Sequence, residues 1–253
     1  MVKVVSVHSF RGGTGKSNTT ANIAATVAQR GYRVGIVDTD IQSPGIHVLF
    51  GFDESRMDLA LNDYLWGRCS VEEAAYDVSH VFKGKNTSGS AIYLIPSSLK
   101  AGEIARVLRE GYDVGLLNDG FQGLIQQLNL DFLFIDTHPG LNEETLLSIT
   151  ISDVLLLIMR PDRQDFQGTA VTVDIARRLE VPKMLLIVNK ALSSFDFAAL
   201  KSEVEGTYGA AVAAILPLTE EMIQLGSSDI FCLRFPDHPL SEIYSGIAEL
   251  LLD

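Results

Sequence analysis

Apolar positions recur along this chain in two alternating rhythms. Short, nearly unbroken apolar runs at residues 2–7, 33–37, 92–95, 132–135, 154–159, 183–188 and 211–216 read as buried strands. Between them, apolar residues recur at helical spacing over 18–30, 102–110, 116–128, 143–150, 165–179, 197–205 and 241–252. Val171, Ile175 and Leu179 fall at i, i+4 and i+8 and are expected to form an inward stripe. Ile243, Ile247 and Leu250 should do the same in the last helix. Two shorter helices are expected at 57–66 and 71–76, a turn at Ser43-Pro44-Gly45, and an exposed polar loop at 83–90. Pro96 and Pro217 should close the strands before them. Strands alternating with helices predict an α/β fold, a mainly parallel twisted sheet with helices on both faces in three layers. No repeat, linker or low-complexity segment divides residues 1–253, so a single domain is expected.

The first strand and first helix are joined by Ser9-Phe10-Arg11-Gly12-Gly13-Thr14-Gly15-Lys16-Ser17-Asn18. Glycines let backbone N–H groups turn onto an anion, and the start of a helix favours negative charge. Lys16 adds a full positive charge, and Ser17 offers a hydroxyl to a phosphate-bound Mg²⁺. The common phosphate-loop pattern asks for glycine where Phe10 stands. The variant x-K-G-G-x-G-K-[ST] fits, with Arg11 in place of its first lysine. A dinucleotide pattern from Gly13 fails at Asn18, although Asp38 lies where a ribose-binding acid is expected. The Lys16-Ser17 pair favours the phosphate loop.

In an open α/β sheet, ligands bind beyond the carboxyl ends of the strands. Those ends carry Asp38 and Asp40, Asp136, and Asn189. Asp136 closes Phe-Leu-Phe-Ile-Asp, a buried strand delivering a carboxylate, which suits Mg²⁺ beside a phosphate loop; a helix-capping aspartate is the plainer alternative. Asp38 and Asp40 would share a face, one supporting the metal's water shell and the other positioning attacking water. The plainer alternative makes Asp38 a strand cap and leaves Asp40 solvated.

With these residues in hand, the chain resembles the ParA/MinD family of deviant Walker-A ATPases, P-loop NTPases that include plasmid- and chromosome-partition, division-site and flagellar-number ATPases. The likeness spans nearly the whole chain: the loop, Asp38-Thr39-Asp40 followed by Gln42, Asp136 to Gly140, Asn189, and Pro217. It implies that Gly12, Gly13, Thr14, Gly15, Lys16 and Asn18 bind ATP with Asn189 and Pro217 at the adenine. It also implies that Ser17 and Asp136 handle Mg²⁺, that Asp40 matters most for hydrolysis, and that ATP drives a sandwich homodimer. GTPases of related folds carry Asn-Lys-x-Asp. Here Asn189-Lys190-Ala191-Leu192 lacks that aspartate, so ATP is expected.

Two departures stand out. Arg11 replaces the lysine that in relatives reaches the partner's nucleotide. Arginine keeps the charge and presents a planar fork to phosphate oxygens, as a trans-acting finger would; contact with its own phosphates or with solvent is the alternative. His138 stands where relatives often have a small residue or proline.

Charge and composition narrow the biology. A net charge of −12 argues against broad binding to DNA or anionic lipid. From Arg160 onward 8 Lys/Arg face 14 Asp/Glu, so a DNA-surfing role is not supported. The chain stops at Glu249-Leu-Leu-Leu-Asp253 without the basic amphipathic tail of membrane-binding relatives. No apolar run approaches the ~18 residues of a membrane span. The two cysteines, Cys69 and Cys232, are far apart and no C-x-x-C exists, which favours the cytoplasm and disfavours an iron–sulfur carrier. The leading expectation is an Mg²⁺-dependent ATPase switch with weak, partner-stimulated hydrolysis that positions or regulates a cargo. An ATP-dependent adaptor with little turnover, or a group-transfer enzyme on the same fold, is the alternative.

Overall fold

A computed structural model of the chain describes residues 2–84 and 87–252. Among them are eight strands: β1 (Lys3–His8), β2 (Arg33–Asp38), β3 (Tyr76–Asp77), β4 (Ala91–Ile95), β5 (Phe132–Asp136), β6 (Val154–Met159), β7 (Lys183–Ala191) and β8 (Ala211–Pro217). They form one sheet in the order β3-β4-β2-β5-β1-β6-β7-β8. Every pairing is parallel except β3 with β4.

Strand alternation builds the layers. In β5, Phe132 and Phe134 enter one core with Val5, Val7 and Ile36, while Leu133 and Ile135 enter another with Val4 and Val37. Burying such a side chain contributes roughly 1.5–3 kcal/mol, so a strand apolar on both faces is secured from both sides. On the first face lie α1 (Lys16–Gln29), α8 (Glu220–Leu225), α9 (Phe231–Arg234) and α10 (Pro239–Leu252). The opposite face is covered by α2 (Leu61–Leu65), α3 (Ala101–Glu110), α4 (Val114–Gln127), α5 (Glu143–Thr150), α6 (Arg163–Arg178) and α7 (Phe197–Tyr208). The expected α/β architecture is the observed one.

Several local expectations are corrected. Residues 57–66 contain only the single turn of α2, preceded by loop, and 71–76 hold a 3-10 turn at Glu72–Ala74. Tyr76 is in the edge strand β3, where its hydroxyl both donates to Leu59 O (2.8 Å) and accepts from Leu59 N (3.0 Å). The segment containing α8 and α9 has too few apolar repeats to predict. In α6 the expected stripe is displaced: Val171 is 47% exposed, and the buried positions are Asp165, Gly168, Thr169, Thr172, Val173 and Ala176. Gly168 is small because Phe10 of the phosphate loop lies against it, while Val173 and Ala176 pack in the core with Leu155, Leu157 and Leu186. In α10, Ile247 is buried as expected, while Ile243 and Leu250 are half-buried beside the more deeply buried Tyr244, Ala248 and Leu251. Pro217 does not stop the last strand but is its final residue, tolerated because β8 is at the sheet edge. Of the loop at 83–90, Lys85 and Asn86 lie outside the described residues.

Candidate nucleotide site

The phosphate loop leaves β1 at His8 and enters α1 at Lys16. Gly15 has φ +94°, and a Cβ there would run into the Asn189 amide, so both backbone and space require glycine. The loop is braced on three sides. Ser9 Oγ donates to Arg11 O (2.8 Å), and Gly140 N donates to Ser9 O (3.2 Å), tying it to the loop after β5. Phe10 rests on Gly168 of α6, where any Cβ would strike its ring.

Two cavities meet at this loop. A smaller one of about 260 Å³ is lined by Ser9, the run from Gly12 to Asn18, Asp40, Ser43 and Pro139. A second of about 490 Å³ is lined by Gly15, Asn18, Asn189, Pro217, Leu218 and Tyr244, among others. They share Gly15 and Asn18. A larger cavity, about 740 Å³, lies between α6 and α7 around Phe166, Phe195 and Leu200. It contains no residue of the phosphate loop.

At the smaller cavity Lys16 Nζ stands between Asp136 Oδ1 (3.7 Å) and Asp40 Oδ2 (3.9 Å), with its side chain 8% exposed. Thr20 Oγ1 donates to Asp136 Oδ1 (3.2 Å). Asp38 lies opposite Asp136 in the sheet register and accepts from Asp40 N (3.0 Å) and Gly45 N (3.3 Å), so it also shapes the loop that carries Asp40. Burial pushes the Asp38 carboxyl well above its ordinary value, reinforced by the Asp136 and Asp40 charges. Burial also raises Asp136, against the Lys16 ammonium and the Ser17 hydroxyl, which pull it down. Beneath the loop, burial and the Lys16 charge push His8 down to about 3, leaving it neutral, with Nδ1 2.7 Å from Thr137 Oγ1.

Two carboxylates thus share one ammonium, and the buried Asp136 Oδ2 has no hydrogen-bond partner among the described residues. That surplus of oxygen charge beside Ser17 fits a hard cation. Among the described residues no cluster of three or more His, Cys, Asp or Glu could hold a metal alone.

At the larger cavity of the pair, β7 runs three residues beyond the expected end at 188, and its pairing with β8 is irregular between Val188 and Ala191. Such an irregularity re-aims side chains. Asn189 Nδ2 donates to Thr14 O (2.8 Å) and its Oδ1 accepts from Lys190 N (2.8 Å). Among the hydrogen bonds of the described residues, this leaves one amide hydrogen and one lone pair of Asn189 unused. Lys190, with φ +58°, donates from Nζ to Gly13 O (2.8 Å). Asn18 Nδ2 donates to Ser227 Oγ (3.2 Å).

Arg11 is turned away from both cavities. Its NH1 donates to Gln164 Oε1 (2.5 Å) and faces Asp165 Oδ1 (3.5 Å) and Asp162 Oδ1 (4.0 Å) at the start of α6. The structure therefore brings together every expected site residue except Arg11. Sequence reasoning missed Lys190, Ser43, Gln164 and the part played by His138. For Lys190, Gln164 and His138 the signals lie in long-range contacts rather than in motif spacing, whereas Ser43 meets Asp40 only three residues away.

The AAA_31 family model, described as an AAA domain, matches residues 2–185. The chain belongs to this family, and its fold is that of the MinD/ParA P-loop NTPases. An uncharacterised ATP-binding protein of Methanocaldococcus jannaschii is 23% identical to this chain, over 100% of it and 88% of that protein. An iron–sulfur cluster carrier protein of Pyrococcus furiosus is 24% identical, over 98% and 85%. Two solved structures share its fold. The septum site-determining protein MinD of Pyrococcus horikoshii, complexed with Mg-ADP, has a TM-score of 0.78 at 20% identity and 99% and 96% coverage. A MinC:MinD cell division complex of Aquifex aeolicus has 0.80 at 19% identity and 99% and 96% coverage. Among the described residues no helix is long and apolar enough to cross a membrane.

Proposed function

We propose that this protein is an Mg²⁺-dependent ATPase switch that forms a homodimer with ATP and regulates or positions a cargo through a partner protein in the cytoplasm. The observation that carries the reading is the pair of joined cavities. One offers backbone N–H groups, a helix start and Lys16 to phosphates; the other offers Asn189, Pro217 and apolar walls to a base. The missing aspartate after Asn189 favours adenine. Mg²⁺ would be held by Ser17 and, directly or through water, by Asp136, with Asp38 behind it, and would neutralise phosphate charge. Gly12 to Asn18 cradle the phosphates, Lys16 draws the terminal ones toward Asp40, and the Asp40 carboxylate aligns the attacking water. Arg11 of one protomer, released from α6, stabilises charge on its partner's nucleotide. MinD's occurrence in a complex with MinC supports a protein partner. Slow intrinsic turnover, stimulated by that partner, fits a loop whose finger is tethered at rest.

Titration calorimetry with ATP and GTP, with and without Mg²⁺, tests the nucleotide reading, and light scattering with ATP tests the dimer. Equal affinity for GTP, or a monomer in every nucleotide state, would overturn the corresponding part. The iron–sulfur reading suggested by several relatives is disfavoured by the thiols. Cys69 and Cys232 sit in different cores, and burial pushes the Cys232 thiol up to about 11.

A further inference from the structure

β2 and β5 run parallel with Asp38 opposite Asp136. Two residues beyond each strand, Asp40 and His138 come face to face past the sheet edge. Their side chains meet: His138 Nδ1 is 2.7 Å from Asp40 Oδ1. The same oxygen accepts from Ser43 Oγ (3.0 Å) and Ser43 N (3.2 Å), whereas Oδ2 faces Lys16. Asp40, Ser43 and Pro139 line the phosphate cavity; His138 is not among its lining residues and touches Asp40 from behind.

The backbones on both sides are fixed independently of this contact. Thr39 donates from N (2.9 Å) and Oγ1 (3.1 Å) to Asp136 O, locking the Asp40 loop to β5. Thr145 Oγ1 donates to His138 O (3.4 Å), tying the histidine to α5. The imidazole is therefore a support for one carboxylate rather than a keystone of the fold. A carboxylate torsion is broad and roughly two-fold, so its direction must come from its partners.

We infer that His138 is a positioning residue: with its proton on Nδ1 it grips Asp40 Oδ1 and leaves Oδ2 directed at the phosphate cavity. The inference rests on the proposed role of Asp40 in aligning water. It gives His138, a departure from the pattern of relatives, a defined task. Because the reacting geometry tolerates little displacement, a loosened Asp40 slows the chemical step without weakening nucleotide binding.

The test is steady-state ATP hydrolysis with Mg²⁺ by wild type, His138→Ala, His138→Asn and His138→Leu, with folding checked by circular dichroism. Asparagine is informative because its Nδ2–H stands close to where the imidazole Nδ1–H stood. We expect kcat to fall at least about tenfold in His138→Ala and His138→Leu, with KM for ATP within about twofold of wild type. His138→Asn should recover most of the lost kcat. An unchanged kcat in His138→Ala, an equal rate for the Asn and Leu variants, or a KM that rises as kcat falls would overturn the positioning role. If His138→Ala does not fold, the Asn–Leu comparison decides alone. A wild type that does not hydrolyse ATP removes the ATPase reading and this role with it; an active wild type matched by His138→Ala removes this role only.

Discussion

Lys16 and Arg11 belong to one loop and carry the same charge, yet their settings are opposite. Lys16 is buried between Asp40 and Asp136, where water cannot screen it, and it looks into the phosphate cavity. Arg11 is 39% exposed and is held outside that cavity by Gln164, Asp162 and Asp165. A buried cation with fixed counter-charges serves binding within its own chain. An arginine on the rim, held by contacts that solvent weakens, can be exchanged for another partner at modest cost. The difference separates a charge that holds a ligand from one that can leave.

The comparison breaks most sharply at Lys16. Lys16→Ala is expected to weaken ATP binding by about 100-fold or more, equivalent to about 2.7 kcal/mol, in titration calorimetry. Retained affinity would mean that the loop N–H groups suffice. Arg11→Ala should leave affinity nearly intact but lower the turnover of a mixed dimer with wild type by at least about tenfold. Unchanged turnover would confine Arg11 to its own chain.

Burial, reinforced by the Lys16 charge, holds His8 at a folded value of about 3, below the ordinary 6.5. Above pH 6.5 the imidazole is neutral in both states. Between 6.5 and 3 only the unfolded chain binds the proton, so this group's contribution falls with pH by about 1.4 kcal/mol per unit. Asp38 and Asp136, both raised, act oppositely: the folded state gains as pH falls through their values. Urea unfolding from pH 6.5 to 4.5 should therefore show less loss of stability on acidification in His8→Asn than in wild type, whereas Arg11→Ala should not change the profile. The smallest effect is expected from Gln164→Ala. It removes one neutral partner of Arg11 and should lower the ATP concentration needed for dimerisation by about threefold in light scattering.

Much of this was legible in the sequence for physical reasons. Asp136 could be placed because the run before it is apolar on both faces, and Gly15-Lys16-Ser17 because few other loops need those three together. The elements at 143–150 and 154–159 were readable to the residue because their apolar pattern stands alone. Elsewhere the deciding contacts are distant. Val171 is exposed because α6 turns Val173 and Ala176 to the core and Gly168 to Phe10, demands that arise outside the helix. Tyr76 pairs as an edge strand because β4 is beside it, and α8 and α9 are held by packing around α1 and α10 rather than by their own periodicity. The Arg11 contacts join positions more than 150 residues apart, and no spacing rule connects them.

The seat of Phe10 on Gly168 has a consequence for altering this molecule. The two form a bump and a ready-made hole: the helix lacks the one carbon that would push the ring away. A methyl group added at Gly168 acts on the loop through Phe10, which does not line the phosphate cavity. A smaller residue at position 10 makes room for it, so the pair offers an orthogonal handle on the loop that leaves every phosphate-binding group in its native chemistry.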